Sequence, residues 1–330
     1  MIIYDHPFSG DIAKAGILLD LAPALPDLLG PECDPLYIGP SLDSYRFEGS
    51  VYGAPIDAAT EHALYRSDLL ATLAAPVPRN FDAVIDLGRS ARARGLYLGA
   101  AVATPHAGLA AAALMANTGH AWSTRHAAPL MIDAAALAVA LDALAELVSF
   151  CPREALNWNS IDLHEAMVAR DDIVYAPCVY GYATYGEVDM RRRLSFADFP
   201  GRTAPYAACS AIGGTALGVT ASSPNPDAAL AFVRFALSNE AQEVIIPAHH
   251  GQPARRSAWL DPDVDERFNG FFSGVRQSLE TAWIRPRMPG YIPFQHEAGA
   301  ISARFLRGDI AREAAVSAIV AAAANVGVAS

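Results

Sequence analysis

Apolar residues along the chain switch repeatedly between short continuous runs and helical spacing. Ile2-Ile3-Tyr4 is a buried-strand run that ends in a turn-like cluster, Asp5-His6-Pro7-Phe8. Ser9 or Gly10 then opens a short helix through Ile12 and Ala15. Residues 51–56 read as a strand bounded by Gly49 and Pro55, and Leu96-Tyr97-Leu98 and Ile173-Val174-Tyr175 are further strands, each after a helical stretch. The clearest helix starts at Asp133 as N-cap and carries Leu137, Leu141, Leu144 and Val148 at three- and four-residue steps. Another starts with Asn225 as N-cap and Pro226 at the first helical position, with Leu230, Val233 and Leu237 as its apolar stripe. Asn239 recaps a shorter helix, with Gln242 three residues on in capping-box relation. Residues 310–326 form an Ala-rich helix with Ala315, Ile319 and Ala322 on one face. Strand and helix in alternation predict an α/β protein.

At 330 residues, 52% hydrophobic and 18% charged, the chain exceeds what one hydrophobic core usually supports, so two lobes are expected. No low-complexity linker separates them, so the crossings are short strands rather than a tether. A formal charge of −11 argues against nucleic acid and against an anionic membrane surface, since both need clustered Lys and Arg. The most apolar stretch, residues 127–150, is interrupted by Asp133, Asp142 and Glu146 and is too polar to span a bilayer. Met1-Ile2-Ile3-Tyr4-Asp5 leads straight into structure without a signal-peptide pattern. Cys33, Cys151, Cys178 and Cys209 form no metal motif; buried free thiols are the simpler reading, and Cys178 with Cys209 is the pairing an oxidising compartment would allow.

Several segments, in order, carry a resemblance to a known family. They are residues 2–13 with Gly16-Ile17-Leu18-Leu19-Asp20-Leu21, Phe47-Glu48-Gly49-Ser50-Val51-Tyr52-Gly53-Ala54-Pro55, and Tyr65-Arg66-Ser67-Asp68-Leu69-Leu70. Residues 77–84, Gly213-Gly214-Thr215-Ala216-Leu217-Gly218-Val219, residues 222–229, Ser238-Asn239-Glu240-Ala241-Gln242 and Gly251-Gln252-Pro253-Ala254-Arg255-Arg256-Ser257 continue the series. Together they resemble the extracellular solute-binding proteins of carbohydrate ABC importers, the group that includes maltose-binding protein. The resemblance implies a type II periplasmic-binding-protein-like fold: two lobes with doubly wound sheets, joined by hinge strands near residues 57–64, 209–216 and 252–257. It divides the chain into an N-terminal lobe (1–57 and 216–252) and a C-terminal lobe (58–215 and 253–330), with late helices packing across the hinge. In the family, two βα units of roughly 30 residues each precede the segment matching Ile2. The expectation is therefore an incomplete N-terminal lobe with unpaired sheet edges. Family membership implies a periplasmic or cell-surface protein; the chain as written, without a signal peptide, would stay in the cytoplasm.

The resemblance also implies a ligand cleft between the lobes. A sugar needs carboxylates, amides and backbone groups for its hydroxyls and aromatic rings for its C–H faces. His6 and Phe8 follow the first strand, where lobe one contacts ligand; Asp5 beside them is equally a turn cap. Asp57 stands at the first hinge, and His106 follows the strand region ending at Val102. Tyr180 and Tyr182 sit in the loop where the family presents a stacking aromatic, Gly213 and Gly214 at the second hinge, Gln252 at the third, and Gln295 and Glu297 on a late helix. Trp158 reads as structural. Partners implied are a small polar solute, most simply a sugar, a membrane permease and its ATPase, with the chain itself a monomer and no cofactor. Competing readings are a ferric-ion binder using Tyr180, Tyr182 and Tyr185, a truncated homologue that binds nothing, and a glycosidase-like enzyme. The last has no recognisable acid–nucleophile pair, GxSxG, HExxH or phosphate loop, and His249-His250 is a lone doublet.

Overall fold

A computed structural model of the chain describes residues 1–123, 130–187, 192–202 and 207–327. Ten strands appear among them: β1 (Ile2–Asp5), β2 (Arg46–Phe47), β3 (Ser50–Val51), β4 (Ala54–Pro55), β5 (Ala59–Tyr65), β6 (Tyr97–Leu98), β7 (Ile173–Tyr180), β8 (Ser195–Ala197), β9 (Ile212–Gly213) and β10 (Thr215–Gly218). The first sheet runs β1-β10-β4, with β1 antiparallel to β10 and Asp5 opposite Thr215. One of its faces packs Tyr4, Ile12, Leu18, Tyr45 and Ala216 together; Leu217 and Ala54, on the other, join Leu21, Leu29 and Ile38. β1 forms an edge, and Ile3 is 62% exposed there.

The second sheet runs β6-β7-β5-β8, with β9 added on β5. β6 is parallel to β7, whereas β5 is antiparallel to β7, β8 and β9. Every residue of β7 from Ile173 to Val179 is buried, the continuous apolar run expected of a strand covered on both faces. Helices Phe81–Arg92, His106–Asn117, Ala134–Ser149, Tyr291–Leu306 and Arg312–Ala323 contribute to the core on one side. Residues 107–117 are all buried, which is why that helix reads as apolar all round instead of amphipathic. It meets helix Tyr291–Leu306 at a pair of glycines: a Cβ on Gly108 would lie 2.8 Å from the Gly299 backbone nitrogen. That close approach brings His106 and Gln295 to the same end of the sheet.

The two sheets are joined at one place. The chain leaves β4 through Asp57 and Ala58 into β5, and returns from β9 through Gly214 into β10. A backbone bridge ties Asp57 to Pro253 on the third passage. Gly214 has φ +101°, and a Cβ there would meet the Asp57 carbonyl oxygen at 2.4 Å, so this position requires glycine twice over.

Several expectations need correction. The strand expected over 51–56 is two pieces, because Ser50–Val51 pairs with β2 whereas Ala54–Pro55 pairs with β10. Asn239 makes no side-chain cap, and Glu240–Ile245 is a π-helix. Gln242 turns inward instead: its Nε2 donates to the carbonyls of Ala236 (2.9 Å) and Ile56 (3.3 Å), and its Oε1 accepts from the amides of Ala254 (2.8 Å) and Arg255 (3.1 Å). All four cysteines are free and buried, so Cys178 and Cys209 are not paired. Asp133 does cap Ala134–Ser149, accepting from the Ala135 and Ala136 amides. Among the described residues, no helix is long and apolar enough to cross a membrane.

Candidate ligand cleft

The hinge crossings open into a cavity of about 370 Å³. Its floor is Asp5 at the end of β1, Asp57 and Ala59 at the start of β5, and the Gly213-Gly214-Thr215 turn. Its walls are Pro105, His106 and Leu109 from one helix, Ser160 from the start of helix Ser160–Ala169, and Tyr180-Gly181-Tyr182 leaving β7. Gln252, Arg285 and Gln295 close it. These positions gather strand ends and helix beginnings, where α/β proteins place ligand sites.

Arg285 organises the floor. Only 4% of its side chain is exposed; Nη2 donates to Oδ2 of Asp5 at 2.6 Å, Nη1 to Oε1 of Gln295 at 3.1 Å, and Nε to the Ile212 carbonyl at 3.1 Å. Its guanidinium stands 6.0 Å from the centre of the Tyr180 ring. Burial opposes charging Asp5, but the Arg285 charge and hydrogen bond, with the His6 ring 3.1 Å away, outweigh it and hold the carboxyl well below the usual carboxylate range. Burial likewise opposes the guanidinium charge, and Asp5 overcomes it.

Asp57 has a different environment. No ion pair reaches it among the described residues, and its backbone amide donates to the Thr215 carbonyl at 3.2 Å. Burial first, and repulsion by Asp5 second, push it up to about 7. His106, half-buried, lies 3.4 Å from the Ser160 hydroxyl, and burial lowers its pKa.

The tyrosines supply the apolar faces. Gly213 makes room for one of them: a Cβ there would come within 2.9 Å of the Tyr180 ring. Tyr182 is 39% exposed, lines the cavity and meets His164 edge-on at 5.3 Å. Burial raises the pKa of both phenols, which stay neutral hydroxyls at ordinary pH.

Eight of the expected site residues line this cavity: Asp57, His106, Tyr180, Tyr182, Gly213, Gly214, Gln252 and Gln295. Gln252 spends its amide on the scaffold, accepting from the Ala183 amide at 2.9 Å and donating to the Ala58 carbonyl at 3.3 Å. His6, Phe8 and Glu297 lie elsewhere. His6 is wholly buried against Tyr45, because the turn after β1 folds its ring inward, and burial pushes its pKa down to about 4. Phe8 is exposed on the 3-10 turn His6–Phe8. Glu297 follows Gln295 by two helical positions, about 200° around the axis, and so faces solvent when Gln295 faces the cleft.

Three cleft residues had no clear signal in the sequence. Arg285 sits in an irregular stretch, Trp283-Ile284-Arg285-Pro286-Arg287, without periodicity to orient it. Ser160 looks like any helix-start serine. Asp5 reads equally as a turn cap until its long-range partner is known. The third tyrosine of the ferric-ion reading, Tyr185, is not with the other two: its hydroxyl donates to Glu165 at 2.5 Å, outside the cavity lining. Among the described residues, no group of three or more His, Cys, Asp or Glu is placed to hold a metal ion.

No curated protein matches the chain. Solved structures do. The maltose-bound MalE3 of T. maritima superposes with a TM-score of 0.80 at 18% identity, covering 97% of this chain and 83% of that one. A tagatose-bound ABC transporter solute-binding protein from Thermotoga lettingae gives 0.80 at 19%, covering 98% and 83%. A ribitol-bound one from Agrobacterium radiobacter gives 0.79 at 18%, again covering 98% and 83%. These likenesses establish the two-lobed solute-binding-protein fold. The family model for bacterial extracellular solute-binding proteins matches residues 1–268. The ordered motifs, the hinge of three crossings and the cleft between the sheets all agree with that match, and this chain belongs to the bacterial extracellular solute-binding protein family.

Proposed function

We propose that this chain captures a sugar or polyol between its lobes and delivers it, chemically unchanged, to the permease of an ABC importer. The observation that carries the reading is the cleft lining. The rings of Tyr180 and Tyr182 share the lining with two carboxyls, a half-buried histidine and a serine hydroxyl, in a cavity within the usual ligand-site range. That is the mixture a polyhydroxylated ligand needs: rings for its C–H faces, and donors and acceptors for its hydroxyls. The ligands in the superposed proteins, maltose, tagatose and ribitol, are of this class.

In this reading the lobes divide at the three hinge passages, near residues 57–59, 213–215 and 252–253, and the chain acts as a monomer. Ligand touching both walls stabilises the closed form, because only differential contact shifts a two-state equilibrium. The test is thermal unfolding of the chain with a panel of mono- and disaccharides and polyols. A ligand at a hundred times its Kd adds about 2.7 kcal/mol to stability and raises Tm, and Tyr182→Ala should cut that gain sharply. A cooperative transition that no member of the panel moves would sink the proposal.

A further inference from the structure

The reading above leaves the charge of the ligand open, and the cleft bears on it. Its cation is already engaged. Each nitrogen of Arg285 has an acceptor within the protein, and Asp5, its ionic partner, is held in place by it. Among the described residues no other Lys or Arg lines the cavity, and His106 is driven toward its neutral form by burial. Among the described residues an anionic ligand therefore meets only a guanidinium already paired with Asp5, and it faces repulsion from Asp57.

Asp57 is the uncommitted group. It lines the cavity, and no ion pair reaches its carboxyl among the described residues. The groups facing it from the packed elements are Asp5 at the end of β1, which repels it, and the neutral phenols of Tyr45 and Tyr182, whose pKa values it raises. None of these neutralises it. A half-buried carboxyl without a counter-charge, desolvated by its surroundings, is costly to keep ionised. It becomes favourable when a cation arrives that it can hydrogen-bond. Beside it the Tyr182 ring offers a π-face, a second attraction for an ammonium group.

We propose that the cleft selects saccharides or polyols bearing a protonated amine, with Asp57 as the counter-ion of the ammonium group. This rests on the capture reading and narrows it to a substrate class. The scaffold already agrees: Asp57 is pushed up to about 7 while empty of a partner, so an arriving ammonium shifts it to the carboxylate and forms a charge-assisted hydrogen bond. Such a bond is worth roughly tenfold in affinity over its neutral counterpart.

The experiment compares matched ligands by calorimetry and thermal shift at pH 7. Glucose is set against glucosamine and N-acetylglucosamine, galactose against galactosamine, and cellobiose against the deacetylated and diacetylated forms of chitobiose. The amine member of a series should bind about tenfold or more tightly than its neutral relatives, with glucuronate weakest. Raising salt from 0.05 to 0.5 M should weaken the amine and leave the neutral sugar unmoved. Asp57→Asn, close to isosteric, should collapse the amine-to-neutral ratio toward one. Tight binding of neutral sugars with no amine preference overturns the proposal and leaves the capture reading standing. An equal loss of both classes in Asp57→Asn also overturns it, making Asp57 an ordinary hydroxyl acceptor. If no saccharide or polyol, charged or neutral, moves the transition, the capture reading fails and this proposal with it.

Discussion

Replacing Arg285 with Met tests whether the floor of the cleft is held by one ion pair. Arg285→Met keeps most of the aliphatic volume but removes three hydrogen bonds, to Asp5, Gln295 and the Ile212 carbonyl. It leaves the Asp5 carboxyl facing a cleft in which no other Lys or Arg stands among the described residues. Breaking one side of a buried pair costs about 3–5 kcal/mol. Because the Asp5 side chain is 34% exposed, water can partly replace the lost partner, which puts the expected loss near the lower figure, about 3 kcal/mol. Asp5→Asn should cost a comparable amount, since it strands the guanidinium instead. The double variant should cost little more than either single, a coupling of about 2–3 kcal/mol, because the second change removes the charge the first left unpaired. Urea unfolding of the four proteins at pH 7 measures this. The pH dependence has a definite sign. Asp5 is held below its unfolded value, so the pair contributes fully above about pH 4 and its contribution fades as pH falls toward the folded value; the gap between wild type and Arg285→Met should narrow in acid. Additive single effects, or an Arg285→Met variant within 1 kcal/mol of wild type, would refute the reasoning.

Two further outcomes follow from the hinge. Glu61 is 2% exposed on β5, with Oε2 unpartnered among the described residues, and burial, only partly offset by Arg285, pushes it up to about 8. A carboxyl raised on folding keeps its proton in the native state after the unfolded chain has lost it, so stability falls between about pH 4 and pH 8; Glu61→Gln should flatten that fall and gain up to a few kcal/mol on wild type by pH 8, read from urea midpoints at pH 5 and 8. A wild-type midpoint that does not drop relative to the variant would contradict the assignment. Gly214→Ala places a Cβ 2.4 Å from the Asp57 carbonyl oxygen at φ +101° and should lower stability by about 1–3 kcal/mol, with ligand affinity falling alongside because the same turn floors the cleft; an unchanged urea midpoint would show that the turn relaxes freely.

Much of this protein was legible along the chain, because local physics writes local signals. Asp133 announced its helix, since a carboxylate before an apolar stripe has few better uses than capping. Pro226 after Asn225 marked the next helix start correctly, even though Asn225 makes no side-chain cap. The Gly213-Gly214 pair marked a backbone turn, and Tyr180 at the end of β7 and Tyr182 just beyond it line the cavity, because strand ends open into cavities in α/β folds. Tertiary structure decided whatever depended on a partner distant in sequence. Asp5 became the anchor of the cleft floor through an arginine 280 positions away, and no spacing rule reaches that far. Gln242, placed where a capping residue would be, turned inward because the hinge strands presented it with two carbonyls and two amides. His6 went under Tyr45 and Glu297 out to solvent, although both stand within two residues of cleft-lining side chains. The reason is rotational: one or two residues along a turn or helix change the direction of a side chain by most of a half-circle, and only the packed structure sets which direction faces the ligand.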